Sequence, residues 1–353
     1  MKILLVTGPF ISLREPFSGS TESFVVEHAN ELVRLGHTVN VIAKDTDERN
    51  SFQVIEFHES PLSMKDNSYR ACSELLGQQH YQTLQFGMLD VTSYDIVHYN
   101  SFIPEIYAVG ALLKLPAVLT LHLPPTEKLA LMYRFFAKHA QVVPVAISAG
   151  MSEQWQPNFE QEVPMIPNGI PTRKWKSNPR KINGYLLWSG RIEKEGNVEA
   201  AINLARYLKR PLKIIGQIFK KSYFDTYVGP YLNENIEYVP LTTKRQLSEM
   251  AAGASLYLAT ASSEGPFHLR LIEMLASGLP IVGFNTAIPL ELRHNDIAPS
   301  VDSSNWKDLI GLVDIAKSIR PESCRDFATL FDINKMSASY LRLYEYIVKA
   351  NGL

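Results

Sequence analysis

Cysteine is nearly missing from this 353-residue chain: Cys72 and Cys324 are the only two. They lie far apart in no metal-ligand spacing, which argues against a disulfide framework or a cysteine-based zinc site and fits a reducing cytoplasm. An excess of either charge is also missing. Lys plus Arg (35) nearly balance Asp plus Glu (36), so there is no whole-protein footprint for nucleic acid. No apolar run reaches the roughly 20 residues of a membrane-spanning helix, which leaves only the surface of a membrane as a place of contact. The opening MKILLVTGPFI sets a cation before a short apolar run but has no small-residue cleavage site, and reads as a first strand. Short-period repeats and low-complexity tracts are absent as well.

What is present is an ordinary globular composition, 46% hydrophobic and 20% charged, in a chain longer than one core usually organises. In the first half, strand-like runs (KILLVT, TVNVIA, DIVHYN, PAVLTLH, VVPVAIS) alternate with amphipathic stretches such as Thr21 to Leu35. That alternation implies βα units on a parallel sheet. Near Asn168 the character shifts to IPNGIPTRKWKSNPRKING, rich in Pro, Gly, Asn and cations, which reads as a connector. Alternation resumes with YLLWSG, a helix from about Asn197 to Lys209, LKIIG, IEYVP, a helix near Lys244 to Ala252, SLYLAT, a helix containing Glu273, and PIVGF. The tail spaces Met336, Tyr340, Leu343 and Ile347 at helical intervals, one apolar stripe that must pack on a domain. The expected division is 1–170 for a first Rossmann-like domain, 171–183 for the connector, 184–333 for a second such domain and 334–353 for a returning helix. Two such domains facing each other across a deep cleft would bind ligand at the carboxyl ends of both sheets.

Several residue patterns suit a phosphate-bearing ligand. Gly19 and Ser20 open a helix whose free N–H groups can meet an anion, or, equally, form an ordinary cap with Glu22 complementing the helix dipole. In SGRIEKEGN, Arg191 and Lys194 follow a strand at the edge where a diphosphate would be met. In ASSEGPFHLRLIEMLASG, Gly265, Pro266 and Phe267 feed a helix, and N–H groups around His268, Leu269 and Arg270 can cradle phosphate oxygens. His98 and His122 both stand at strand ends. The triplet Asp45-Thr46-Asp47 could be taken for a metal-binding acidic motif, but a solvated loop of acids is the plainer reading. The segment Lys128 to Ala140 mixes Leu, Met and Phe with cations, a composition that suits either an anionic membrane surface or packing on the first sheet with cations outward.

Taken in order, the Gly-rich loop ending in Glu22, the helix closed by Leu35-Gly36-His37, DIVHYN, LTLH, AIS, IPNGI (166–170) and SGRI (189–192) resemble the GT-B-fold retaining glycosyltransferases. The glycogen-synthase-like and phosphatidylinositol-mannosyltransferase-like branch, glycosyltransferase group 1, is the most similar, and the resemblance runs over nearly the whole chain. It implies transfer of a sugar from a nucleoside diphosphate sugar to a hydroxyl of a glycan, lipid-linked or small-molecule acceptor, with no metal and no other cofactor. It further implies that His122 lies near the donor sugar, that Arg191 and Lys194 stabilise the departing diphosphate, that Glu273 binds ribose, and that Glu264 and His122 orient the sugar. Two departures stand out. The family's Lys-Gly pair falls on Gly196-Asn197 here, and eight residues rather than seven separate Glu264 from Glu273, which sets Gly265 where the family places its first Glu. These departures keep two other functions open: a non-catalytic nucleotide- or glycan-binding subunit of the same fold, and a sugar-nucleotide epimerase. The localisation implied is cytoplasmic, with peripheral contact at the inner face of a membrane for a lipid acceptor.

Overall fold

The computed structural model describes residues 1–8, 11–56, 83, 85–137, 142–176, 184–262 and 269–350. It divides into two compact units, Met1–Pro167 with Met336–Leu353, and Asn168–Lys335.

The first unit follows the alternating pattern: β1 (Lys2–Val6), β2 (Ser12–Leu13), α1 (Ser20–Arg34), β3 (Thr38–Ala43), β4 (Asp45–Thr46), β5 (Gln53–Glu56), β6 (Ile96–Tyr99), α2 (Pro104–Leu112), β7 (Ala117–Leu121), α3 (Glu127–Ala137), β8 (Val142–Ala146) and α4 (Ala149–Trp155). Six strands form one sheet in the order β5-β3-β1-β6-β7-β8, each neighbouring pair parallel. All residues of β6 and β7 are buried, which is why these strands read as unbroken apolar runs rather than alternating ones. Gly36, at φ +89°, lets the chain leave α1 in the left-handed conformation that an L side chain resists.

The second unit repeats the plan with β9 (Tyr185–Ser189), α5 (Val198–Leu208), β10 (Leu212–Ile215), α6 (Lys221–Tyr227), β11 (Ile236–Val239), α7 (Lys244–Gly253), β12 (Ala254–Ala259), α8 (Leu269–Ala276), β13 (Ile281–Phe284) and β14 (Ser300–Val301). Then come α9 (Ile310–Ser318), α10 (Pro321–Ala328) and α11 (Ile333–Ala350). The sheet order is β11-β10-β9-β12-β13-β14, again parallel throughout. In each sheet the chain winds outward one way from a central strand and then the other. The reversal falls between β1 and β6 in the first sheet and between β9 and β12 in the second. Above such a reversal the following loops diverge and leave a crevice at the carboxyl ends of the strands.

Part of the stretch read as a connector is packed. Ile170 bridges Asp332, its N–H donating to Phe331 O and its carbonyl accepting from Ile333 N. Thr172 hydrogen-bonds the Asp332 carboxylate, and Trp175 is buried. Residues 177–183 lie outside the described residues. In α11 the buried face consists of Ile333, Met336, Ser337, Tyr340, Tyr344 and Ile347, with Leu343 half-buried. An apolar stripe is there, but three of its members, Ser337, Tyr340 and Tyr344, bear hydroxyls and are buried for a reason the periodicity does not contain.

Candidate functional site

In the second unit, the β9/β12 reversal gathers three segments. After β9, the chain runs through Gly190 and Arg191 into a short turn, Lys194–Gly196, and Asn197 takes a left-handed conformation before α5. This loop is stitched to the end of β12. Ser262 N donates to Glu195 O at 2.9 Å, Thr260 Oγ1 donates to Asn197 O at 2.9 Å, and Trp188 Nε1 donates to Thr260 Oγ1 at 2.9 Å. Gly190 and Gly216 pass so closely that a Cβ on Gly216 would lie 1.9 Å from Gly190 O, so the loop after β10 needs a bare backbone there. Arg191 and Lys194 are exposed, and the Arg191 guanidinium lies 5.3 Å from the centre of the Phe219 ring. These are exposed cations on a fixed backbone, and among the described residues neither pairs with a carboxylate.

The third segment is the first turn of α8. Glu273 is 1% exposed, and a lone carboxylate there would be costly. It has two partners. Lys244, the first residue of α7, pairs with one oxygen, and Arg270, one turn earlier on α8, reaches the other at 2.9 Å. Burial pushes the Glu273 carboxyl up, but Lys244 and Arg270 outweigh it and hold the group below its ordinary value, hence ionised. Lys244 owes its place to a capping box: Thr243 Oγ1 accepts from Gln246 N, and the Gln246 side chain returns to Thr243 N. Leu269 is buried, while Glu264, His268 and the segment 263–268 that joins β12 to α8 lie outside the described residues.

In the first unit, the buried polar groups near the β1/β6 reversal are of another kind. His122 directly follows β7 and is 5% exposed; its Nε2 lies 2.9 Å from Asn100 Oδ1 at the end of β6. Phe24 of α1 meets the imidazole edge-on at 4.9 Å, and Trp155 Nε1 donates to the next carbonyl, Leu123 O, at 2.8 Å. Burial lowers the His122 pKa to about 3, so its ring is neutral near pH 7, and the acceptor at Nε2 assigns the proton to that nitrogen. His98 sits deeper, with no exposed surface, and takes part in a separate network with Thr120 and Tyr344. Gly19 caps α1 without a side-chain bond, and Ser20 is exposed. The carboxylate of Glu22 occupies this helix start: it accepts from Ser18 Oγ at 2.7 Å, and a Cβ on Gly19 would lie 2.8 Å from it. An anion reaching Gly19 must first displace that carboxylate.

The acids of the 45–47 loop have their own partners. Asp45 accepts from Ser12 Oγ and pairs with Arg14, and Asp47 pairs with Arg49. Among the described residues no group of three or more His, Cys, Asp or Glu side chains is arranged to hold a metal, and no helix is long and apolar enough to cross a membrane. On α3, Leu131 is 63% exposed while Ala130 and Tyr133 are buried. The last part of the Lys128 to Ala140 segment lies outside the described residues, as does Cys72; Cys324 is buried.

Neither Lys244 nor Asn100 carries a sequence pattern that marks it as a site residue. The capping pattern TTKRQ marks Lys244 as a helix start, but nothing local announces its partner. Asn100 ends the DIVHYN run, where a polar residue after a buried strand is the available signal.

Residues 21–174 match the model of Glycosyltransferase Family 4, and residues 170–329 match that of Glycosyl transferases group 1. No curated protein matches the chain. Among solved structures, a glycosyltransferase from Rickettsia africae is 18% identical over 99% of both chains, with a TM-score of 0.75. A sucrose-phosphate synthase from Thermosynechococcus elongatus is 14% identical over 99% of this chain and 100% of that one, with a TM-score of 0.74. The Anabaena protein HepE in complex with UDP-glucose is 14% identical over 97% of this chain and 100% of that one, also with a TM-score of 0.74. At such identities these likenesses speak for the fold.

Proposed function

The chain belongs to the glycosyltransferases of the GT-B fold, a Family 4 first half followed by a group 1 second half, and from that premise we propose that it transfers a sugar from a nucleoside diphosphate sugar to an acceptor hydroxyl with retention of configuration. The observation that carries the donor assignment is Glu273, a buried, ionised carboxylate flanked by Lys244 and Arg270 above the β9/β12 reversal. In this reading Glu273 accepts hydrogen bonds from the ribose hydroxyls. Arg191, Lys194 and the backbone N–H groups at the start of α8, His268 to Arg270, meet the diphosphate, whose charge grows as the glycosidic bond to it breaks. The first unit holds the acceptor, with neutral His122 and, from the loop after β12, Glu264 orienting the sugar and Gly19 and Ser20 approaching the donor once Glu22 has moved. The binding of UDP-glucose by the HepE relative makes UDP-glucose the first donor to try.

For the acceptor, the reading includes a lipid-linked hydroxyl presented at the inner face of a membrane, to a cytoplasmic protein. Leu131 projects from α3 between Lys128 and Arg134, a pairing of apolar and cationic groups that suits an anionic lipid surface. Co-sedimentation with anionic vesicles, absent with neutral ones, is the expected result.

The deciding experiment incubates the purified chain with a panel of nucleoside diphosphate sugars, with and without glycan and lipid-linked acceptors. Release of nucleoside diphosphate that depends on acceptor, with the first-formed product keeping the donor's anomeric configuration by proton NMR, is expected. Conversion of the donor without acceptor would make the chain an epimerase. Binding with neither transfer nor hydrolysis for any donor would overturn the reading.

A further inference from the structure

The buried histidines of the first unit are joined to the carboxy-terminal helix by an unbroken chain of hydrogen bonds. Tyr340 Oη lies 2.9 Å from Thr120 Oγ1, Thr120 Oγ1 lies 2.6 Å from His98 Nε2, and His98 Nδ1 lies 2.5 Å from Tyr344 Oη. Tyr344 Oη lies 3.0 Å from His28 Nε2, and His28 Nδ1 lies 2.9 Å from Ser337 Oγ. His28, His98, Ser337, Tyr340 and Tyr344 have no exposed surface, and Thr120 has 3%. Burial lowers His28 to about 3 and holds His98 well below its ordinary value, where His28 and His122 add to the effect. Both rings are therefore neutral near pH 7, and each lends one N–H and one lone pair. With that constraint the protons can run in one sense along the whole chain, from Tyr340 through Thr120, His98, Tyr344 and His28 to Ser337 or the reverse. Every bond in this arrangement has one donor and one acceptor.

His98 links this chain to His122 in two ways. Its side chain holds Thr120, on the strand that His122 directly follows and two residues before it. Its backbone carbonyl accepts from Asn100 Nδ2 at 3.3 Å, while the other end of the same amide, Oδ1, holds the His122 ring. We propose that Tyr344, 246 residues from His98 in sequence, is a positioning residue: its hydroxyl fixes the His98 ring, and through Thr120 and the backbone that holds Asn100 sets the orientation of His122. The inference rests on the reading that His122 faces the donor sugar. It assigns α11 a part in the reaction that apolar docking alone would not need. Removing the Tyr344 hydroxyl leaves nitrogens of two buried imidazoles without a partner, and the neutral tautomer each had been assigned is no longer enforced.

The experiment uses the full chain with Tyr344→Phe, and with Ile347→Val as a comparison that loosens the same helix through packing alone. The nitrogen-15 shifts of the His122 ring are the first readout. The unaltered chain should show a protonated Nε2 and a bare Nδ1, and Tyr344→Phe should shift both signals as the ring turns against Asn100, while Ile347→Val leaves them in place. Where sugar transfer is measured, Tyr344→Phe should lower kcat about tenfold to a hundredfold, the range in which a small misplacement of a reacting group falls, with KM for the donor within about twofold. Unchanged His122 signals, an unchanged kcat well below the melting temperature, or equal losses in Ile347→Val would each overturn the proposal. If the unaltered chain transfers sugar from no donor, the functional reading fails, and the His122 signals still decide whether Tyr344 positions that ring.

Discussion

Around His98 and His122, above the reversal of the first sheet, the buried hydrogen-bonded side chains are neutral, three imidazoles, an amide and hydroxyls. Above the reversal of the second sheet the buried polar group is an anion between two cations. The topology is the same, so the difference comes from the side chains. A neutral network holds geometry and adds no net field, which suits a site for sugar and acceptor hydroxyls. The ionic cluster leaves one uncompensated positive charge after Glu273 is balanced, and Arg191 and Lys194 stand in the loop beyond it. That arrangement suits a diphosphate. The contrast can be tested from both sides.

The largest effect is expected from replacing both cations, Lys244→Met with Arg270→Met. Removing the partners of a buried charge costs about 3–5 kcal/mol, and here the stranded group is a carboxylate with 1% exposure. The sign with pH separates this from lost packing. In the unaltered chain the Glu273 carboxyl lies below its ordinary value, so its contribution is present above about pH 4.5 and lost as pH falls through the folded value. In the double variant burial acts alone and raises the carboxyl, so the damage is greatest at neutral pH and eases as pH falls toward 5. Denaturant melts at pH 7 and pH 5 measure it, and an equal deficit at both would dissolve the contrast between the units.

Next comes Arg191→Ala. If its guanidinium meets the diphosphate as charge develops, kcat should fall on the order of a hundredfold, and melting should barely change because Arg191 is exposed. An unaltered kcat would return Arg191 to the role of a surface cation over Phe219.

Acid should weaken the first unit before the second. A buried histidine with a depressed pKa contributes stability that is present above about 6.5 and lost as pH falls toward its folded value, about 3 for His28. At pH 5 each such ring costs about 2 kcal/mol relative to pH 7, from 1.5 units at about 1.4 kcal/mol each. His28→Gln should lower stability at both pH values but shrink the difference between them by about that amount. Hydrogen exchange at pH 5 should find β6 and β7 opening ahead of β9 and β12; the reverse order would break the comparison.

Much of the fold was legible because strands buried on both faces read as apolar runs, and each half repeats them with helices between. The candidate residues that were legible lie on loops that directly follow those strands, Arg191 and Lys194 after β9 and His122 after β7. What stayed hidden depends on pairs made only in the folded chain. Glu273 was read as a ribose acceptor, yet its partner Lys244 is 29 residues away across a strand. Tyr344 and Leu343 both fit a helical stripe, and it is the tyrosine that is fully buried, against the nitrogens of His28 and His98. His98 was read as a strand-end residue, and its place in a chain of hydrogen bonds reaching α11 has no local signature.

The smallest effect tests how finely Lys244 is placed. Thr243 is the cap of α7, and Thr243→Ala removes the acceptor for Gln246 N at a cost of about 1 kcal/mol. Because Lys244 is the next residue, a fraying first turn shifts its ammonium relative to Glu273, and the nucleotide should feel that more than the fold does. The expected outcome is a melting temperature lowered by only a few degrees together with a severalfold weaker thermal-shift response to UDP, the diphosphate carried by the first donor to be tried. Thr243→Ser, which keeps the capping oxygen, should restore both. If stability falls while the UDP response is unchanged, Lys244 needs no fixed helix start to hold Glu273, and the ionic cluster is looser than the neutral network it is set against.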